Sequence, residues 1–359
     1  MLPDAFLLVS FGGPEGPDDV MPFLENVVRG KNVPRERLLE VARHYELFDG
    51  VSPINEQNRA LLAAVAEEFN SNGVPLPIYW GNRNWHPLLA DTVEEMAADG
   101  VQRALTLVTS PFGSYPSCRQ YLEDIERARQ AVGPTAPAID KLRLFYNHPG
   151  FIEPMRERVS AAFQTIPSER RSAARLLFTA HSIPLSMAER SPYERQLREA
   201  CRRVVEEGLG IKDWGLDFQV SSVQSPAPSS NPQSLIPNPY SIAFQSRSGP
   251  PSQRWLEPTM ADAIRRLHAE GATDIIVVPL GFLAENMEVI YDLDVEIAGL
   301  CDELGVNMIR ADVVGRHPRF VQMIRELVVE RLEPSSPKLF LGDAGPWPDD
   351  CAADCCRLE

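Results

Sequence analysis

The chain has 359 residues, room for two domains, and its 44% hydrophobic and 24% charged content is that of a globular protein, not a disordered one. Lysine and arginine number 35 against 50 acidic residues, a net charge of −15 that argues against a nucleic-acid surface, because phosphate contacts need clustered cations. No apolar run approaches the roughly 18 residues that span a bilayer, the N-terminus has no basic flank, and six cysteines are too few for a disulfide scaffold, which together predict a cytoplasmic protein.

Short apolar runs alternate with amphipathic stretches from the start, the βαβ rhythm of parallel sheets flanked by helices. In the first half, strands are expected at 5–11, 77–81, 104–109 and 142–147, with helices at 60–70 and 88–98. The second half repeats the rhythm: strands at 175–180, at 216–218 or 242–245, at 274–280 and at 306–311, with helices at 193–207 and 258–270. The segment from Phe218 to Ser246 holds no charge, and its five prolines between Pro226 and Pro239 rule out a helix or a central strand. An insertion at about 220–241 is therefore expected, with the strand assigned to its second flank. The fold class is α/β, two Rossmann-like domains at 1–150 and 151–333, followed by a proline-rich tail at 334–359.

Chemistry is expected at the strand ends, since ligands of open α/β sheets bind outside the carboxyl ends of the strands. The run 175–180 stops at His181. Another, beginning at Asp274, opens onto Glu288, Asp292 and Glu296, carboxylates four residues apart. On a helix over 285–300 these three share one face, and like charges so placed raise one another's proton affinity unless cations lie between them. That face is either solvated or lines a polar channel, and the sequence leaves both open. The first loop, Ser10-Phe-Gly-Gly-Pro-Glu, is a poor phosphate cradle because Pro14 has no amide hydrogen and Glu15 repels anions. None of the other five histidines stands at zinc-motif spacing.

Five segments occur in order that resemble those of ferrochelatases: Phe11-Gly-Gly-Pro; Gly81-Asn-Arg-Asn-Trp-His-Pro; Thr179-Ala-His-Ser-Ile-Pro; Gln245-Ser-Arg-Ser-Gly-Pro-Pro-Ser-Gln-Arg-Trp-Leu-Glu-Pro; and Gly281-Phe-Leu-Ala-Glu-Asn-Met-Glu-Val-Ile-Tyr-Asp-Leu-Asp. Val51-Ser-Pro-Ile-Asn leans the likeness toward the actinobacterial branch and hence toward coproporphyrin III over protoporphyrin IX. The resemblance implies a lyase of haem biosynthesis that inserts ferrous iron into a porphyrin held between two Rossmann-like domains. His181 and Glu288 would then be the iron-site residues, with Asp292 and Glu296 a path for iron or protons. Imidazole and carboxylate suit a borderline divalent ion, and a histidine titrating near neutrality suits a pyrrole proton. Phe11, Trp255 and Phe282 would line the cleft above Arg83, although Phe282 reads equally as a core residue. Ser52 and Tyr121 would meet the porphyrin carboxylates, helped by Arg29 and Lys31.

Two departures from the family pattern stand out. Where the family usually carries Asp-His in the last motif, this chain has Glu285-Asn286, and an asparagine cannot accept a proton at neutral pH. The cysteines are the other. Some ferrochelatases hold a two-iron, two-sulfur cluster with one central cysteine and three near the C-terminus; Cys118, Cys351, Cys355 and Cys356 would supply the four thiolates, but with unusual spacing. A frayed tail with incidental thiols is the competing reading. Competing functions are a chelatase for another metal, such as cobalt, or another tetrapyrrole, and a non-catalytic haem or iron carrier.

Overall fold

The computed structural model describes residues 2–206, 240–249, 252–352 and 354–358. It contains two four-stranded sheets, and every strand pairing is parallel. The first runs in the order β2–β1–β3–β4, from β1 (Ala5–Ser10), β2 (Ile78–Asn82), β3 (Arg103–Val108) and β4 (Ala138–Lys141). The second runs β6–β5–β7–β8, from β5 (Arg175–His181), β6 (Tyr240–Gln245), β7 (Asp274–Val278) and β8 (Asn307–Arg310). One strand order thus occurs twice, as the doubled rhythm of the sequence implied. The strand expected at 142–147 is corrected to Ala138–Lys141, which pairs with Arg103–Thr106. Residues 142–147 are buried throughout, more deeply than β4 itself, but run beyond the ladder. The alternative strand at 216–218 and most of the expected insertion at 220–241 lie outside the described residues; Tyr240 and Ser241 begin β6.

The helices of the first half are α1 (Pro17–Val27), α2 (Arg35–Glu46), α3 (Ile54–Ser71), α4 (Leu89–Ala98), α5 (Gln120–Val132) and α6 (Pro149–Gln164). Those of the second are α7 (Leu185–Glu189), α8 (Tyr193–Glu206), α9 (Met260–Ala269), α10 (Met287–Ile290), α11 (Ala298–Leu304) and α12 (Pro318–Leu332). β1 shows how the layers form. Phe6 and Leu8 face one apolar cluster while Ala5, Leu7 and Val9 face another, against Val93 of α4 and Ile125 of α5. A strand buried on both faces has to be apolar at every position, and each fully buried Phe or Leu side chain contributes about 1.5–3 kcal/mol. The first cluster is shared between the sheets: it runs from Phe6 through Phe178 of β5 and Val278 of β7 to Phe320 of α12. α12 packs against α3 and α6, so the last helix returns to the first half of the chain.

The α1–α2 hairpin stands outside these layers with a small core of its own. Val20, Phe23, Leu24, Leu38, Ala42 and Tyr45 pack together with Met287 of α10, and Phe11 and Tyr291 lie against them. This satellite cluster is what brings the first loop of the chain to the acidic segment of the second half. Among the described residues no helix is long and apolar enough to cross a membrane.

Candidate functional site

His181 is the last residue of β5, and its Nε2 lies 3.2 Å from Glu288 Oε1. Nδ1 contacts the Ser182 carbonyl oxygen, so the ring is held at both nitrogens. Below it, the Tyr193 hydroxyl donates to the His181 carbonyl at 2.9 Å. The strand can end here only because Gly281 has no side chain: a Cβ there would sit 2.7 Å from the Ala180 Cα. Glu288 occupies the first turn of α10, whose N-cap is Asn286; the asparagine Oδ1 accepts from the Val289 amide at 3.1 Å. Asn286 thus has a capping task, which its residue type suits.

The continuous α-helix expected over 285–300 is replaced by α10, a π-helical turn at Asp292–Ile297, and α11. The wide turn is visible in the Glu296 amide, which donates to the Tyr291 carbonyl five residues back at 3.1 Å. Leu293 and Ile297 are buried in the second sheet's outer core and hold that side of the turn inward. Asp292 nevertheless stays within electrostatic reach of both Glu288 and Glu296, so the acidic row survives the change of helix type. π-turns of this kind recur at functional sites.

Charge is partly withdrawn from water here. Burial pushes the Asp292 carboxyl up to about 7; Ser246, whose hydroxyl donates to it, opposes the shift, Glu288 and Glu296 add to it, and His181 opposes it. Burial works against a charged His181, but Glu288 and the contacts to Ser182 and Asp292 outweigh it and raise the imidazole to about 9. The near-neutral histidine of the sequence reading is therefore corrected: without metal it is a cation paired with Glu288, and Asp292 is the group titrating near 7. Two tyrosines close the site. Tyr45 and Tyr193 are both raised above the usual phenol range, first by burial and then by Glu288, with Asp292 acting on Tyr45 as well. At the outer end His44 stacks on Tyr291, ring centroids 3.8 Å apart, and burial lowers it while Glu296 opposes.

The expected wall residues fall into two groups. Arg83 is buried and ion-paired with Asp124; its guanidinium lies 4.4 Å from the Tyr121 ring centroid and 5.9 Å from that of Phe11. Ser52 is buried against the first loop, where a Cβ on Gly13 would come within 2.7 Å of its own Cβ. On the other side Trp255 is bridged to Pro184, three residues after His181, and a Cβ on Gly249 would be 2.4 Å from its ring. Phe282 lies in the apolar cluster that also holds Val289 and Leu293. Arg29 and Lys31 are exposed on the turn between α1 and α2, with Arg29 bonded to Asn26.

His181 and Glu288, at the carboxyl end of β5 beside the part-buried Asp292 and the exposed Glu296, fall within residues 3–332, which the model of the ferrochelatase family matches. The chain belongs to the ferrochelatase family. It is 52% identical to a protein of Rhodopirellula baltica named ferrochelatase, over 98% of this chain and 93% of that one. It is 49% identical to the coproporphyrin III ferrochelatase of Frankia alni, over 98% and 86%. With the protein of the same name from Streptomyces griseus it shares 44%, over 98% and 93%.

The cysteine tail lies beyond the stretch matched by the ferrochelatase family model. Its thiols nonetheless lie within electrostatic reach of Cys118: Cys355 and Cys356 have sulfurs 3.4 Å apart, and both interact electrostatically with Cys351 and Cys118. Cys118 sits on a π-helical turn, Tyr115–Arg119, just before α5. Burial raises its thiol, while the buried Lys141, within hydrogen-bonding reach, opposes the shift. The sequence does not mark Tyr45, His44 and Tyr193 as neighbours of the acidic row. Their helical spacing marks them only as core or surface, and nothing local says that an acid row packs on them.

Proposed function

We propose that this protein inserts ferrous iron into coproporphyrin III in the cytoplasm, with the porphyrin between the halves 1–150 and 151–333. The observation that carries the residue assignment is the 3.2 Å pairing of His181 Nε2 with Glu288 Oε1. Insertion replaces two pyrrole N–H bonds by iron–nitrogen bonds and releases two protons without a change of oxidation state. His181 and Glu288 take the incoming ion, whose charge displaces the imidazolium proton. That proton leaves along the acidic row; Asp292, titrating near 7, then takes one pyrrole proton, and His181, neutral once the ion has passed to the ring, takes the other, both going on past Glu296 to solvent. Phe11, Trp255 and Phe282 bend the ring, which lowers the barrier by presenting the pyrrole nitrogens to the metal. Arg83 braces Tyr121 and Phe11, while Ser52, Tyr121, Arg29 and Lys31 meet the carboxylates. The choice of coproporphyrin III rests on the two relatives so named.

A two-iron, two-sulfur cluster on Cys118, Cys351, Cys355 and Cys356 belongs to the same proposal. Among the described residues no three His, Cys, Asp or Glu side chains gather around one ion, but a two-iron cluster asks for only two thiolates per iron. The close Cys355–Cys356 pair and the cation of Lys141 suit an anionic group of that kind. Bound there, it would supply a cross-link and a one-electron centre, and no step of insertion runs through it.

The test mixes the protein anaerobically with ferrous iron and either porphyrin and follows the Soret band. Metalation of coproporphyrin III in preference to protoporphyrin IX is expected. His181→Ala should lose at least about a hundredfold in rate while still binding porphyrin. Tight haem binding with no metalation of either ring, or full turnover in His181→Ala, would overturn the assignment.

A further inference from the structure

The last residue of β6 and the one after it both reach the acidic segment. Gln245 lies opposite His181 in the β5–β6 register. The Glu288 carbonyl can only accept, so the Gln245 amide nitrogen must be the atom bonded to it, and Oε1 is left to accept from the Thr179 hydroxyl at 2.7 Å. Gln245 therefore ties the backbone of Glu288 to the strand that carries His181. Ser246, next along, has φ of +60°. A left-handed backbone is costly for a residue other than glycine or asparagine, and persists where surrounding contacts hold it. What Ser246 gains is a hydroxyl hydrogen bond to the Asp292 carboxyl, deep in the acid row.

We infer that Gln245 and Ser246 are positioning residues for iron handling: one fixes the backbone under Glu288, the other the carboxylate of Asp292, and Ser246 keeps a strained backbone to do so. The inference rests on the iron-site reading of His181 and Glu288 above. It adds that the spacing of the two ligands and the acid behind them is imposed from β6, not by the short α10, which has only four residues to hold itself.

The strain makes the test sharp. In Ser246→Gly the backbone adopts positive φ freely while the hydroxyl is lost, so relief of strain offsets the stability cost of the lost bond as iron handling suffers. The expected result is a KM for ferrous iron raised about tenfold, the loss expected for one hydrogen bond to a charged group, with the porphyrin Kd unchanged. Ser246→Asn, which tolerates the left-handed region and carries a donor, should recover part of it. Anaerobic calorimetry of ferrous iron binding to the metal-free protein gives a readout independent of turnover and should show the same weakening. An unchanged iron affinity and KM in Ser246→Gly would overturn the inference. Ser246→Ala loses the same hydroxyl but keeps the left-handed strain and should melt below Ser246→Gly; the reverse order would also overturn the inference. Failure of the wild-type protein to metalate any porphyrin would instead refute the proposed function, with the calorimetry still deciding the role of Ser246.

Discussion

Asp292 and His181 decide how the site answers to pH. Both have folded pKa values above their ordinary ones, Asp292 at about 7 from 3.8 and His181 at about 9 from 6.5. A raised pKa means that folding favours the protonated form. The stability tied to Asp292 is therefore complete below about 3.8 and lost as pH rises through 7; that tied to His181 is complete below about 6.5 and lost through 9. Ferrous iron wants both groups deprotonated, so its affinity must run the other way. Iron affinity of the metal-free protein is expected to climb in two steps, near 7 and near 9, belonging to the coupled site as a whole. Asp292→Asn should remove the lower step and leave the upper. An anaerobic iron titration across the neutral and alkaline range reads this directly, and a flat affinity in the wild-type protein would count against it. The sequence placed His181 correctly at a strand end. It could not supply the raised pKa, because Glu288 lies far along the chain and meets the ring only after both strands are in place.

At the scale of elements, what the sequence hid follows from burial without pairing. Residues 142–147 look like a strand because Leu142, Leu144, Phe145 and Tyr146 are all buried, yet the ladder closes with Lys141. The giveaway is Arg143, in the middle of that run. It makes a bidentate ion pair with Glu330 of α12, Nε–Oε2 2.7 Å and Nη2–Oε1 2.8 Å, with the two side chains 1% and 2% exposed. The same Nη2 donates to the Leu339 carbonyl at 2.8 Å, fastening the start of the tail. A sequence window cannot see a partner 187 residues away. The π-turn was equally invisible, since Glu288, Asp292 and Glu296 fit an α-helical row in the sequence and only the packing of Leu293 and Ile297 selects the wider turn. Glu330→Gln leaves a buried guanidinium uncompensated and is expected to cost about 3–5 kcal/mol, whereas the double change Arg143→Met, Glu330→Leu should recover most of that. Urea unfolding of the two variants measures both numbers, and a Glu330→Gln protein as stable as wild type would show that the pair does not bind α12 to the first half.

Across the whole molecule, the tail adds a further tie between halves that already share an apolar core. It crosses from α12 to the first half, where the Leu341 amide donates to the Asn147 carbonyl at 2.8 Å and Trp347 packs edge-on to Tyr146, centroids 6.2 Å apart. It then brings Cys351, Cys355 and Cys356 within electrostatic reach of Cys118, which lies one turn before Tyr121 and the Arg83 guanidinium over its ring. Without metal, hydrogen bonds, the Trp347–Tyr146 ring pair and the Arg195 guanidinium over the Trp347 ring hold this segment. A cluster shared between Cys118 and the tail would close a loop over most of the chain, and clips that close long loops remove the most chain entropy. The wild-type protein, isolated without oxygen, is therefore expected to be brown with visible absorption. Cys118→Ser should bleach it and expose the last residues to limited proteolysis, while the unfolding midpoint of the remainder falls only slightly because the Arg143–Glu330 pair is untouched. Colourless wild-type protein carrying no iron or sulfide would exclude the cluster, and a brown Cys118→Ser variant with a protected tail would show that Cys118 is not among its ligands.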